Sequence, residues 1–403
     1  MSEEKLKIGL PGQGIIRYYV YSFLELLPVT VKIVPYNDHI QIFSYNVVKN
    51  YKEAFEIISQ RISKVKERYK PLIPLSGNDD KIIKKAKNEL GVSGTADIDE
   101  MFQEYVRKLE NKQYSIFDLN NSLYPFAIGN YSLPSIFNIE FYGYTRGAYF
   151  SGKHEIEYNI TLHMLMILLA GYINARCLRF RMGRESITVL VFPPSSSEIR
   201  NFLISKTKEE RIPLQDLIED EAVKQELPAI YPPEALILWL LINLPEEVIK
   251  NVNLYLVAIS EPKGVNPASP VADFFIPLRT LYFLMEDLLK VVERKEKFYR
   301  EKIKEVKGYK DRLNDDLLKP ALRYGIMTQR EIITQKEKIE DAIRYVKLLF
   351  LASQKGRLFE RIELLSFSSR RFLLLRETGQ VSEATLSLFV SKLARDLIEK
   401  VSD

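Results

Sequence analysis

The stretch KLKIGLPGQGIIRYYVYSFLELLPVTVKIVPYNDHIQIFSY, residues 5–45, decides the reading of the fold. Lys5 to Gly9 reads as a short strand. The turn Leu10-Pro11-Gly12-Gln13-Gly14 and an amphipathic helix through about Leu27 follow. Val29 to Val34 is rich in β-branched residues and predicts a second strand. Pro35-Tyr36-Asn37-Asp38 then turns the chain straight into a third, Ile40 to Tyr45, so that the last two form a hairpin. Asn50 to Tyr69 places Ala54, Ile57, Ile58, Ile62 and Val65 at helical spacing. The order is β-α-β-β-α, an α+β opening built on an antiparallel sheet.

That order starts like a ferredoxin-like or RNA-recognition-type domain. Beyond it, Pro71 to Gly94 is turn-rich and charged, and Asp97 to Glu110 predicts a helix. Tyr114 to Ser135 reads as loop, followed by a strand near Ile136 to Tyr142 and a glycine-broken loop from Gly143 to Lys153. Tyr158 through Ala175 predicts a buried helix, and Ile187 to Phe192 a buried strand ending at Pro193-Pro194. A charged helical stretch is expected from Ser196 to Gln225, an apolar helix from Glu234 to Leu244, and a last strand from Leu254 to Ile259. Ser260 to Pro277 holds four prolines and reads as a boundary. Helices follow: Leu278 to Lys307, a second opened by the capping box Thr328-Gln329-Arg330-Glu331, then Leu358 to Leu375 and Ser382 to Val401. The expected organisation is an α+β nucleic-acid- or complex-binding region over 1–260, in one or two subdomains, a linker over 261–277, and a basic helical bundle over 278–403.

Charge is laid out unevenly. Residues 286–403 hold 26 Lys and Arg against 20 Asp and Glu, and the remainder is near balance with 32 against 33. The basic surplus thus sits on the helical tail, which points to a polyanion partner or to a solvated charged surface. At 403 residues and 46% hydrophobic composition the chain can bury two or three cores. Its longest apolar run, Ile160 to Ile173, falls short of the roughly 20 residues that span a bilayer, so no membrane partner is expected. The start Met1-Ser-Glu-Glu-Lys5 lacks the apolar core of a signal peptide, and the expected location is the cytoplasm. The lone Cys177 excludes an intramolecular disulfide and a thiolate cluster. Abundant Ile, Lys, Glu and Tyr with one Cys matches the bias of thermophile proteins.

Three clusters are candidate nucleic-acid sites. Gly9-Leu-Pro-Gly12-Gln-Gly14 sits between a strand and a helix but is spaced G-x-x-G-x-G, and the following strand turns back in a hairpin. Both features speak against a dinucleotide site. Gly12, Gly14 and Arg17 could still hold a backbone phosphate at the helix start, the alternative being a tight structural turn. Tyr142, Tyr144, Arg146, Tyr149 and Lys153 combine stacking rings, charge and glycine-permitted close approach, the alternative being an aromatic hairpin packed on its own sheet. Arg176, Arg179, Arg181 and Arg184 fall within nine residues; in a strand Arg179 and Arg181 share a face that tracks phosphates or forms a salt-bridged sheet surface. Arg370, Arg371 and Arg376 add a candidate basic stripe in the tail.

Catalytic constellations are nearly absent. His39, His154 and His163 have no metal-ligand spacing, and no G-x-x-x-x-G-K-S/T, G-x-S-x-G or H-E-x-x-H pattern occurs. Asp97, Asp99 and Glu100 form the one compact acidic cluster, at a helix start where capping acids are common. No cofactor and no metal are expected.

The opening KIGLPGQGIIRYYV (residues 7–20), the block FYGYTRGAYFSG (141–152) and the terminal helices together resemble the large subunit of the type I-A CRISPR interference complex, Cascade. The resemblance implies a non-catalytic subunit at the foot of a guide-RNA ribonucleoprotein. Such a subunit helps recognise the protospacer-adjacent motif on target DNA, supports strand separation and docks a nuclease-helicase. Its implied partners are guide RNA, target DNA, the other complex subunits and that nuclease-helicase. The resemblance assigns no motif-reading residue; the arginines and tyrosines above rest on their own chemistry. Two other classes stay open, a metal-dependent nucleic-acid-processing enzyme and a protein-interaction scaffold without nucleic acid.

Overall fold

Alternation builds the first sheet as expected. In β1 (Glu4–Gly9) Leu6 and Ile8 are fully buried while Lys5 is exposed. After α1 (Ile15–Leu24), the strands β2 (Lys32–Pro35) and β3 (His39–Ser44) form the hairpin, and the antiparallel order is β1-β3-β2. This computed structural model describes residues 3–10, 14–66, 71–121, 129–137, 159–182, 185–205, 211–224, 240, 244–262, 268–276, 278–279, 344, 348, 351–352, 358–379, 391, 394–395 and 398. Beside β1, where a ferredoxin-like sheet carries its fourth strand, lies the 3-10 turn Ile116–Asn121, whose Asn120 Oδ1 accepts the Lys7 backbone N–H. α2 (Val47–Val65) is capped by Asn46, whose Oδ1 accepts from Lys49 N at 2.9 Å. Glu4 Oε2 accepts from Val47 N at 2.8 Å, tying the start of β1 to the start of this helix.

Pro71 to Gly94 is not merely turns. It contains α3 (Gly77–Leu90), opened by a capping box between Ser76 and Asp79 and closed by Gly91 at φ 77°. The helix forms because Ile83, Ala86 and Leu90 recur on one buried face despite the polar residues between them. Asp79 also accepts from Ser135 N at 2.8 Å, joining α3 to the 3-10 turn Ser135–Phe137. That turn stands where the strand from Ile136 to Tyr142 was expected, and 138–142 lie outside the described residues. α4 (Ile98–Glu110) matches its predicted span. The short strands β4 (Tyr131–Ser132) and β5 (Asn159–Ile160) pair antiparallel.

α5 (Leu162–Ala175) is buried on every side, all its residues lying in the core. Its continuous apolar run follows from that position, since a helix surrounded by protein needs no polar stripe. It packs against α1 so closely that a Cβ on Gly171 would collide with the Tyr19 carbonyl. Tyr19 is itself fully buried and donates its hydroxyl to Ile136 O at 3.3 Å. Tyr105 and His163 hydrogen-bond at 2.8 Å, and burial depresses the His163 pKa.

The second sheet has the order β11-β10-β7-β6, from β6 (Arg176–Met182), β7 (Glu185–Phe192), β10 (Leu254–Ser260) and β11 (Ser269–Ile276). β11 falls inside the stretch expected as a linker. Pro270 misled that reading; β11 is an edge strand, the one place where a sheet tolerates a missing N–H. The stretch from Ser196 to Gln225 is likewise not one helix. It forms the 3-10 turn Ile199–Phe202, the hairpin β8 (Leu203–Ser205) with β9 (Arg211–Pro213), and only then α6 (Leu214–Lys224). Arg200 anchors the 3-10 turn by donating to Leu27 O at 2.7 Å and Val31 O at 2.6 Å.

A buried polar centre lies among these helices. Arg61 of α2, 3% exposed, donates from Nε to Ile173 O at 3.1 Å and from Nη2 to Arg176 O, the last carbonyls of α5. The same guanidinium pairs with Asp216 and, at 3.7 Å, with Glu219, both on α6. Nearby, Glu25 is fully buried and accepts from Asn174 Nδ2 and from Gln215 Nε2 at 3.4 Å. Burial pushes its carboxyl up to about 8, only partly opposed by those hydrogen bonds and by Arg61.

The chain divides into two units, Met1–Arg179 with Glu185–Glu219 and Leu254–Phe275, and Phe180–Arg184 with Asp220–Asn253 and Ile276–Asp403. In the second, α7 (Glu246–Asn251) and α8 (Leu358–Glu377) are described. α8 confirms the helix expected from Leu358 to Leu375. Arg361 donates from Nε to Ala352 O at 2.9 Å, and Arg344 lies 4.2 Å from the centre of the Phe367 ring. Leu278 and Arg279, at the start of the helix expected from Leu278 to Lys307, and Arg344, Leu348, Ser391, Ala394, Arg395 and Ile398 are helical, whereas residues 280–343 lie outside the described residues. The fold class is therefore mixed α/β with antiparallel sheets.

Two stability measurements check the core. Arg61→Met is expected to cost about 3–5 kcal/mol in urea denaturation, because it strands two carboxylates and the α5 carbonyls. Glu25→Gln tests the second polar group. A raised folded-state pKa gives stability that is full below 4.5 and lost as pH rises towards about 8. The variant should therefore gain on the parent steadily across that window; a constant difference would show that Glu25 does not titrate there.

Candidate nucleic-acid interface

α1 begins abruptly because Gly14, at φ 114° and ψ 164°, reverses the chain without contributing a side-chain cap. Arg17, one turn on, reaches back over the β2–β3 turn. Its Nη2 donates to Tyr36 O at 2.6 Å and Asn37 O at 3.0 Å, and its guanidinium carbon lies 5.9 Å from the centre of the Tyr21 ring. A cleft of about 370 Å³ opens here, walled by Arg17, Tyr18, Tyr21, Tyr36, Ser195 and Ser196. Burial raises the Tyr21 pKa, opposed by the Arg17 charge and a hydrogen bond with Ser196. Tyr18 stacks obliquely on Tyr255 at 4.4 Å, which fixes one wall.

The cleft offers one cation, two seryl hydroxyls and three aromatic rings. Groups of these kinds are chemically suited to a phosphate and an aromatic base, and none of the described lining residues carries a carboxylate or imidazole. An acidic and an imidazole side chain stand on the turn outside it. There His39 Nδ1 lies 2.6 Å from Asp38 Oδ1, and that hydrogen bond holds the Asp38 carboxyl below its usual range. Cys177 is buried and its thiol is pushed up by desolvation, a poor state for a nucleophile. Among the described residues no group of three or more His, Cys, Asp or Glu is placed to hold a metal ion. Asp97 stands at the N-cap of α4, and Asp99 accepts from Gln103 Nε2 at 2.9 Å. Among the described residues no helix is long and apolar enough to cross a membrane.

Of the residues expected at a nucleic-acid site, Gly14 and Arg17 meet at this cleft. Gly12, Tyr142, Tyr144, Arg146, Tyr149, Lys153 and Arg184 lie outside the described residues. Arg176 is 3% exposed, with its Nη1 donating to Leu72 O inside the fold. Arg179 forms a two-pronged pair with Glu261, Nε to Oε1 at 2.7 Å and Nη2 to Oε2 at 2.6 Å, and Thr188 donates to the same carboxylate. For Arg179 this contact is of the salt-bridged kind, the second of the two readings left open. Arg181 lies in β6. Arg370 and Arg376 are exposed and Arg371 half-buried on α8. At 100° per residue the three are spread around the helix and do not line one stripe. Sequence reasoning missed Tyr18, Tyr21, Tyr36, Ser195 and Ser196. No local signal marks them, since the serines reach α1 only because β7 ends beside it.

A search among curated proteins finds no significant match. The profile of a protein family described as CRISPR-associated protein, CsaX, matches residues 40–305. That span begins in β3 and includes α2 to α5 and the whole second sheet, and the chain belongs to this CRISPR-associated CsaX family.

Proposed function

We propose that the protein is a non-catalytic, nucleic-acid-binding subunit of a CRISPR RNA-guided surveillance complex. The family match over 40–305 is the observation that carries this reading, because it supports a role in a CRISPR system and hence partners among CRISPR components. The Arg17 cleft adds chemical support, with cationic, hydroxyl and aromatic groups that suit phosphate and base. In the finer reading the chain is the large subunit of a type I-A complex. It helps recognise the protospacer-adjacent motif on target DNA, supports strand separation and recruits a nuclease-helicase, while guide RNA reads the remaining sequence by base pairing.

Three measurements test this. Gel shifts of the purified chain on duplex and single-stranded DNA should show affinity falling between about 50 and 200 mM salt, as counterion release demands. Affinity independent of salt would remove phosphate contact from the explanation. Incubation with DNA, RNA or ATP and Mg²⁺ or Mn²⁺ should give no turnover. Cleavage that disappears in Asp97→Asn with Asp99→Asn would instead establish a nuclease. Replacing Arg146 and Lys153 together by Ala should weaken DNA binding more than replacing Arg312 and Lys319, because the first pair is interleaved with stacking tyrosines. Equal effects in folded variants would take that loop out of the site.

A further inference from the structure

One face of the first sheet carries its lysines and partly exposed residues. Strand register sets its residues in rows: Lys5, Phe43 and Lys32 across β1, β3 and β2, then Lys7, Gln41 and Val34, then Gly9 beside His39. The alternate residues Leu6, Ile8, Ile40 and Ile42 are buried on the other face. Lys5 and Lys32 are exposed, and their Nζ atoms lie 5.8 Å and 5.7 Å from the centre of the half-buried Phe43 ring. Tyr45, just past the end of β3, is 68% exposed. Towards the other end, Tyr36 stacks on His39 with ring centres 4.4 Å apart and planes 5° from parallel. No Asp or Glu takes an outward position in the three strands; Glu3 and Asp38 stand at the ends.

We propose that this face is a platform for single-stranded RNA, with bases stacked on Phe43 and Tyr45 and phosphates against Lys5, Lys7 and Lys32. Tyr45 follows the last residue of β3, two residues beyond Phe43, and two residues of extended chain span at most about 6.8 Å. That is about twice the 3.4 Å spacing of stacked bases along one strand of a duplex, so only a splayed single strand meets both rings. A duplex keeps its base faces covered, and an acidic peptide would pair with the lysines and leave the rings idle. The polar row selects RNA. His39 lies between Asp38, with Nδ1 2.6 Å from Oδ1, and Gln41, with Nε2 3.0 Å from the Gln41 amide nitrogen. The Gln41 carbonyl oxygen is left as the acceptor next to Phe43, where a ribose 2′-hydroxyl donates.

This platform deepens the nucleic-acid reading above and rests on it. Fluorescence anisotropy of the full chain with a labelled oligouridine RNA, the matching single-stranded DNA and a duplex DNA tests it. Phe43→Ala should weaken RNA binding about tenfold, the scale of one lost stacking contact, and Phe43→Trp should retain it. Phe43→Leu, which keeps the side-chain bulk for folding, should be weak like the alanine variant. Lys5→Ala with Lys32→Ala should lower the slope of log affinity on log salt by about 1.4, the value for two phosphates on a single strand. Duplex binding through other clusters should be unchanged. RNA affinity unaltered in Phe43→Ala and Phe43→Leu overturns the platform alone, and DNA bound as tightly as RNA overturns the choice of RNA. A parent protein that binds no nucleic acid overturns both the platform and the wider reading.

Discussion

The guanidinium of Arg61 is the constraint on which the larger unit depends. A cation removed from water needs compensation from every side, and here it comes from the C-terminal carbonyls of α5 and the carboxylates of Asp216 and Glu219. One side chain from α2 therefore fixes both the end of the central helix and the start of α6. Because the negative end of α5 also faces this cation, the pairing satisfies backbone groups that nothing apolar could satisfy. Replacing the group by an apolar residue of equal volume would need its anionic partners replaced as well.

The central helix carries that constraint to the surface. α5 is buried throughout and holds α1 at the short distance that Gly171 permits. α1 in turn supports the first sheet on one side and presents its N-terminus, with Arg17, on the other. The cleft beside Arg17 and the outward sheet face are thus two products of one packing arrangement. Inward residues of the strands meet the core, and outward residues are left for charge and aromatic rings. The division of Lys5, Lys7 and Lys32 from Leu6, Ile8 and Ile33 follows from the two-residue period of a strand.

Arginine placement shows how charge counts mislead when read without contacts. Arg176 and Arg179 belong in sequence to a cluster of four arginines, yet Arg176 is directed into the fold and Arg179 is held by Glu261, a residue 82 positions away. Neither contact has a local signature. Lys5 and Lys32 are less conspicuous in the sequence but share Phe43 as a neighbour once β3 is inserted between their strands.

The sequence by itself determined β1, α1, the β2–β3 hairpin, α2, α4, α5, β7, β10 and α8. In β1, β3, α2 and α4 burial repeats at the period of the backbone, and in α5 and β7 a continuous apolar run matches burial on all sides, so local pattern and tertiary role agree. It also made Gly14 and Arg17 legible, because a glycine turn before a helix is a local event. Only the tertiary structure decided the rest. α3 was hidden by polar residues that face solvent, and β11 by a proline that an edge strand accommodates. The Arg61 centre, the serine wall of the cleft and the Lys5–Phe43–Lys32 row depend on residues distant in sequence, whose meeting is set by packing and strand register and so cannot be read from any single segment.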